Sequence, residues 1–534
     1  MLNDVLSQLD LSPDDVIPYG RDKAKLPATV RGACSGKLVL VTAISPTPAG
    51  EGKTTTSIGI ADSLNHLGER VIVALREPSL GPCFGIKGGG TGGGRAILVP
   101  TADINLHFTG DMHAITAAHN LVSAMIDNAL HFRTTNLDPR KVSWPRVLDV
   151  NDRSLRHCTI GLQGDGVPRE TAFDITAASE VMAILCLASD EADLRVRLDR
   201  TVVGMSTERT PVTIADLGAT GAMMALLRDA LMPNIVQTSE GTPAFVHGGP
   251  FANIAHGCSS VISTRAALTH ADWVITEAGF GADLGAEKFF DIKCRSSGLD
   301  PSAVVVVATV RALKYHGGTE IKDLTTPDID AVGRGLENLA AHLDTIAAFG
   351  KPAVVAINGR LEDTPEEVAV IEAFCAERGV RCAAATHFAD GKSGAVAVAK
   401  AVMLAVEEDS GPFTPMYEDD AKAADKIRAV AKTVYGADDV VFTQTATRSL
   451  RRFAKRGWSD LPICMAKTPA SLSDNPKRRG RPTGFTVTVK EVLVNTGAGF
   501  LVALLGDVSR MPGLPRRPAA FDVDLVDGVI HGVE

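Results

Sequence analysis

The sequence predicts an α/β protein: a P-loop-type parallel sheet with helices on both faces, plus smaller α+β domains. Three observations carry this. Apolar runs without polar alternation recur at 37–44, 69–75, 272–277, 302–309 and 351–358, the pattern of strands buried on both faces. Stretches of helical texture separate them, and strands alternating with helices at this spacing build a parallel sheet. The first run feeds a small-residue loop, Ser45-Pro-Thr-Pro-Ala-Gly-Glu-Gly-Lys-Thr-Thr-Thr56, and then a helical pattern from Ser57 to Leu67 with Gly68 as its C-cap.

Strand, Gly-Lys-Thr loop and helix together are the setting of a phosphate-binding loop. Backbone N–H groups of such a turn and of the helix start converge on one spot and favour an anion there. Lys53 would reach the β- and γ-phosphates, and the Thr54 hydroxyl would sit on Mg²⁺. Gly52, Lys53 and Thr54 match the pattern, but Thr47, followed by Pro48, stands where it opens with glycine. The alternative is an ordinary strand-to-helix turn containing Gly-Lys-Thr. No Asn-Lys-x-Asp guanine-reading motif occurs, so ATP with Mg²⁺ is favoured over GTP.

In chain order, residues 1–36 form a leader in which Ser12 caps a helix start at Pro13. Tyr19-Gly-Arg-Asp-Lys-Ala-Lys25 is basic, either a solvated loop or a reach toward a carboxylate or phosphate. The second strand, 69–75, ends at Arg76 and Glu77. Ligands of open α/β sheets bind beyond the carboxyl ends of strands, which brings Arg76 to the edge that holds Lys53. Arg76 is a candidate bidentate grip on a carboxylate or acyl phosphate; the alternative is a surface pair with Glu77. Gly85-Ile-Lys-Gly-Gly-Gly-Thr-Gly-Gly-Gly-Arg95 is either a mobile linker or a backbone nest over a ligand. His107, Asp111 and His113 precede a helix over 114–130. They are read as metal ligands, as proton-transfer or orienting groups, or as structural residues.

Residues 140–240 read as an insertion or subdomain, with a capped helix over 172–187 and an exposed edge strand at 195–200. His247 and His256 stand near a turn. Further strands follow at 272–277, 304–309, 351–358 and 380–386. Gly411-Pro-Phe-Thr-Pro-Met416 is a candidate linker, and 421–460 is largely helical. Lys477-Arg-Arg-Gly-Arg481 is a solvated basic loop or a grip on an acidic substrate tail. The expected domains are 1–345 for nucleotide binding, with the insertion at about 140–240, then 346–415 as a second α/β domain and 416–534 as a C-terminal α+β domain.

At 534 residues the chain exceeds one core and suggests roughly two to four domains. A net charge of −9 argues against nucleic-acid and membrane-surface partners. The cysteines are scattered and odd in number, with no Cys-x-x-Cys, as in a reducing compartment. No signal peptide or membrane-length apolar run is present, so a cytoplasmic location is expected.

The chain resembles the formate–tetrahydrofolate ligase family along essentially its whole length. The residues that carry the likeness include Thr47-Pro-Ala-Gly-Glu-Gly-Lys-Thr54, Arg76-Glu-Pro-Ser-Leu-Gly-Pro82 and Asp103-Ile-Asn-Leu-His-Phe-Thr-Gly-Asp111. Phe251-Ala-Asn-Ile-Ala-His-Gly257, Thr276–Phe290, Arg311–Gly318, Pro462–Lys467 and Met511-Pro-Gly-Leu-Pro515 continue it. The resemblance implies that formate, ATP and tetrahydrofolate give 10-formyltetrahydrofolate, ADP and phosphate through formyl phosphate. It implies that Lys53 and Arg76 are catalytic and that Thr54 meets Mg²⁺. Nucleotide contacts would come from Thr47, Pro48, Ala49, Gly50, Glu51, Gly52, Lys53, Thr54, Thr55, Glu77 and Phe280. It further implies a homotetramer activated by K⁺ or NH₄⁺.

Two positions depart from the family. Arg360 stands where a phenylalanine is usual, and Phe388 where a tryptophan is usual; the family stacks both aromatics on the pterin. The implied folate site is a working one with weaker stacking. The alternative is an acyl-phosphate-forming enzyme with a changed acceptor, or a nucleotide-binding member with weakened folate binding.

Overall fold

The computed structural model describes residues 2–27, 32–85, 89–409 and 411–533. Its centre is a twelve-stranded sheet. In chain order the strands are β1 (Ile17–Tyr19), β2 (Lys23–Lys25), β3 (Lys37–Ala43), β4 (Val71–Leu75), β5 (Gly92–Gly93) and β6 (Ala96–Val99). They continue as β7 (Asn234–Thr238), β8 (Pro243–Val246), β9 (Trp273–Glu277), β10 (Ala303–Ala308), β11 (Ala353–Asn358) and β12 (Arg381–Ala385). The spatial order is β1-β2-β7-β8-β4-β9-β3-β10-β11-β12, with the β5–β6 hairpin joined to β7. From β8 to β12 every pairing is parallel; the β1, β2 and β7 side is antiparallel.

The parallel strands are apolar on both faces because both faces are covered. Along β3, Leu38 and Leu40 enter one core while Val39 and Val41 enter the other. The first core packs under Val261–His270 and Ile329–Ala348. The second packs under α1 (Lys53–His66) and Val396–Glu407. Each fully buried valine or leucine contributes about 1.5–3 kcal/mol, so β10, with six buried Ala and Val residues, has no competing exposed register.

Within 346–415, β11 pairs with β10 and β12 with β11, so these strands continue the central sheet. A βαβ unit that continues a sheet and one that starts another share the same hydrophobic pattern. The segment 195–200 is helix, not edge strand. Asp190 caps Glu191–Asp199 by accepting from the Asp193 amide at 2.8 Å, and Leu194 and Leu198 share its buried face. The helix expected over 172–187 begins at Glu180, capped by Ser179, after a short strand at Phe173–Asp174. The start at Ser12 is a single 3₁₀ turn, Pro13–Asp15.

Residues 137–213 form their own three-stranded sheet. Their core is shared with C-terminal residues, including Cys464, Phe500 and Val502. In the C-terminal region the helices Ala423–Thr433 and Gln444–Ala454 flank a strand, Asp439–Phe442. Among the described residues no helix is long and apolar enough to cross a membrane.

Candidate active site

β3 delivers the chain to the loop 45–52, and neighbouring elements brace that loop from below. Asn338 Oδ1 accepts from the Ser45 amide at 3.2 Å. His316 Nε2 lies 2.9 Å from the Ser45 carbonyl. The amide and hydroxyl of Thr47 donate to Glu51 Oε1 at 2.7 and 2.9 Å, and Thr309 donates to the other oxygen of that carboxylate. Asn358, at the end of β11, donates to the Glu51 carbonyl at 3.0 Å.

This geometry explains the departure at Thr47. The left-handed residues of the loop are Gly50, with φ 77°, and Gly52, with φ 75°; Thr47 is not one of them. A glycine is unnecessary there, and a hydroxyl that ties the loop to Glu51 is useful. Glu51 itself is buried among these partners and shapes the loop from within. Gly52 is required twice, by its φ and because a Cβ would meet Asn358 Nδ2 at 2.4 Å.

Lys53 and Thr54 open α1. The Thr54 hydroxyl donates to Glu277 Oε2 at 2.9 Å. Glu277 ends β9, the strand beside β3, opposite Val41. Its other oxygen lies 3.6 Å from an Nη of Arg76, which ends the following strand, β4. The other Nη donates to the Pro250 carbonyl at 3.4 Å, and the buried Nε has no hydrogen-bond partner among the described residues. Thr54, the Glu277 carboxylate and the Arg76 guanidinium thus line one cavity of about 400 Å³, with Phe280, Asn253 and Pro512 on its walls.

Glu277 was not singled out by sequence reasoning. Its signal is a carboxylate closing an otherwise apolar strand at the ligand-binding edge. The donor set Thr54 hydroxyl and Glu277 carboxylate, with phosphate oxygens to complete it, suits an oxygen-seeking cation such as Mg²⁺. Phe280 lies just beyond β9 in the left-handed region, with φ 62°, a conformation that costs a bulky residue roughly 1–3 kcal/mol and concentrates at functional sites. Two π-helical segments follow, Ala282–Ala286 and Phe289–Cys294. Asp283 of the first forms a fully buried 2.6 Å pair with Lys467, which ties the C-terminal region to this wall.

Other candidates lie elsewhere or are already engaged. Glu77 lines the cavity wall but is buried beside Asp111, Lys25 and Asp149. Burial and then the Asp111 charge push its carboxyl well above the usual range. Lys25 is committed to Asp111 at 2.7 Å and Lys23 to Asp103 at 2.5 Å, so this basic stretch reaches carboxylates of its own chain. His107 and His113 are exposed, and the described residues hold no metal-ligating cluster of His, Cys, Asp and Glu. His247 is satisfied by Ser260 and the Ala230 carbonyl. Arg479 and Arg481 pair with Glu320 and Asp344.

Arg360 and Phe388 follow adjacent strands, β11 and β12, onto the same sheet edge. The Arg360 amide donates to Asp363 at 2.9 Å, and the Arg360 charge lowers the pKa of Arg311 after the larger effect of burial. Phe388 is 58 % exposed, and its carbonyl accepts from the Arg95 amide at 2.9 Å. A Cβ on Gly94 would meet that carbonyl at 2.1 Å. The glycine run is therefore no free linker: Gly94 packs on Phe388, while Gly89 and Gly90 line the cavity. Its residues 86–88 lie outside the described residues.

The family model described as formate–tetrahydrofolate ligase matches residues 1–534. Curated relatives of that name agree over nearly their whole lengths. That of Hyphomonas neptunium is 54 % identical, with 100 % of this chain and 97 % of the relative covered. That of Maricaulis maris is 54 % identical, with 99 % and 97 % covered. That of Lacticaseibacillus paracasei is 53 % identical, with 99 % and 96 % covered.

Proposed function

This chain belongs to the formate–tetrahydrofolate ligase family, and from that premise we propose how its residues join formate to tetrahydrofolate at the expense of ATP. The observation that carries the reading is the linked set Thr54, Glu277 and Arg76, drawn from three neighbouring strands into one cavity. The loop 47–55, with Lys53, cradles the ATP phosphates through its amides. Thr54 and Glu277 hold Mg²⁺, which neutralises phosphate charge when bound. Arg76, with a free Nε edge, grips formate and steadies the charge that grows as the γ-phosphoryl group passes to a formate oxygen.

The products of that step are ADP and formyl phosphate. Nitrogen N10 of tetrahydrofolate then attacks the formyl carbon, the C–O bond to phosphate breaks, and N10 loses its proton. The intermediate turns a poor leaving group, oxide or hydroxide, into phosphate. Phe280 forms the wall of the nucleotide and intermediate cavity. Arg360 and Phe388 flank the pterin; an arginine plane can stack on a ring but does not replace an aromatic face, so folate is held more weakly than with two aromatics. A homotetramer, activation by K⁺ or NH₄⁺ and action in the cytoplasm belong to the same reading and rest on the resemblance alone.

The test is product formation. Protein with formate, MgATP and tetrahydrofolate yields 10-formyltetrahydrofolate, and Lys53→Ala abolishes it. No product at saturating tetrahydrofolate overturns the reading, whereas formate-dependent ADP release indifferent to folate identifies a changed acceptor.

A further inference from the structure

A second cavity, of about 370 Å³, opens between the 137–210 region and the C-terminal region, and the chemistry above does not use it. It lies where two segments remote in sequence share a core. Its walls gather Lys141, Arg209, Arg452, Arg456 and Arg510 in a chain whose net charge is −9. Among the described residues the first four form no ion pair; Lys141, Arg209 and Arg452 are exposed and Arg456 is half-buried.

The best-buried of the four is the most informative. Arg456 donates one Nη to the Arg209 carbonyl at 3.0 Å and points it at the Met205 sulfur at 3.4 Å, a poor acceptor. Its other Nη is buried without a partner. Arg510 reaches Asp174 through one Nη, yet its Nε is also buried and unpartnered. A guanidinium left without its hydrogen bonds in a partly desolvated cavity costs free energy that an anion there would recover. The one carboxylate on the wall, Glu180, is already turned toward the amides of Gly497 and Ala498.

We propose that this cavity is a second binding site, for a small polyanion bearing two or more phosphate or carboxylate charges. Like charges at this density repel one another unless counter-charge is supplied, and arginine forks match the paired oxygens of phosphate and carboxylate. The volume falls within the range of small-molecule sites. Val492, Val494 and Phe453 provide apolar wall for the body of the ligand.

The site is tested by calorimetric titration of the full-length Lys53→Ala protein, which lacks the phosphate-loop lysine, with inorganic pyrophosphate in one arm and citrate in the other. The expected result is saturable binding of one anion per chain in at least one arm, and the tighter arm identifies phosphate or carboxylate. Adding Arg452→Gln and Arg456→Gln weakens it at least tenfold. Lys141→Gln with Arg209→Gln, both exposed side chains, weakens it severalfold in a protein that melts like its parent, which guards against misfolding of the first pair. Absence of saturable binding in both arms, or binding unmoved by both pairs, overturns the proposal. Because no turnover is measured, this outcome is separate from the fate of the ligase reading.

Discussion

Replacing Gly52 with alanine is the sharpest perturbation of the phosphate loop. At φ 75° an alanine is held in the left-handed region, at roughly 1–2 kcal/mol. Its Cβ would stand 2.4 Å from Asn358 Nδ2, so the amide must swing away and release the Glu51 carbonyl it holds at 3.0 Å. That bond contributes about 1 kcal/mol. The sum, about 2–3 kcal/mol, corresponds to roughly 30- to 150-fold in the population of the nucleotide-ready loop. The assay is ATP affinity by titration, with kcat/KM for ATP alongside. A cycle with Asn358→Ala isolates the cause. The single Asn358→Ala change loses about 1 kcal/mol, but on top of Gly52→Ala it loses almost nothing, because the bond is already broken. Strictly additive losses, or an ATP affinity within threefold of the parent for Gly52→Ala, would refute the reasoning.

Three other outcomes follow from the same geometry. Thr54→Val removes the hydroxyl that donates to Glu277 and is expected to lower ATP turnover at least a hundredfold with the melting curve intact, partly reversed by raised Mg²⁺ in steady-state assays. Arg360→Phe introduces an aromatic face and is expected, on the proposed folate site, to lower KM for tetrahydrofolate about 2- to 10-fold, from the roughly 0.5–1.5 kcal/mol of an aromatic pair, with KM for ATP unchanged. Asp62, buried under the Thr238 hydroxyl, has its pKa raised by burial to about 6. The folded protein therefore holds a proton that the unfolded chain releases near the ordinary aspartate value of 3.8, so stability falls as pH rises from about 4 to 6. Melting of Asp62→Asn against the parent is expected to show a difference in favour of the variant that grows across that window; a pH-independent difference sinks the assignment.

The legible parts were those where one physical rule acts alone. Val304–Ala308 has no polar residue, so it is a strand buried on both faces, and the Gly-Lys-Thr start of α1 has a fixed electrostatic meaning. What stayed hidden depended on partners distant in sequence. Thr47 looked like a flaw until Glu51 and Thr309 were seen to hold it. Lys23 and Lys25 looked open to a ligand, but their carboxylates lie some 80 residues on. The segment 195–200 alternates apolar and charged side chains, and only the cap at Asp190 with the Leu194–Leu198 stripe decides for helix. The sheet membership of β11 and β12 is a matter of edge pairing, which side-chain pattern does not encode.

That last point bears on how such an enzyme can change. Arg76, the phosphate loop, Arg360 and Phe388 hang from β4, β3, β11 and β12 of one uninterrupted hydrogen-bonded sheet. Strands repeat about every 4.8 Å, so the landing places proposed for the reactants are spaced like teeth on a comb. Evolution can exchange what a tooth carries and alter grip or preference without altering reach. To alter reach it would have to add or delete a whole strand, a far rarer event.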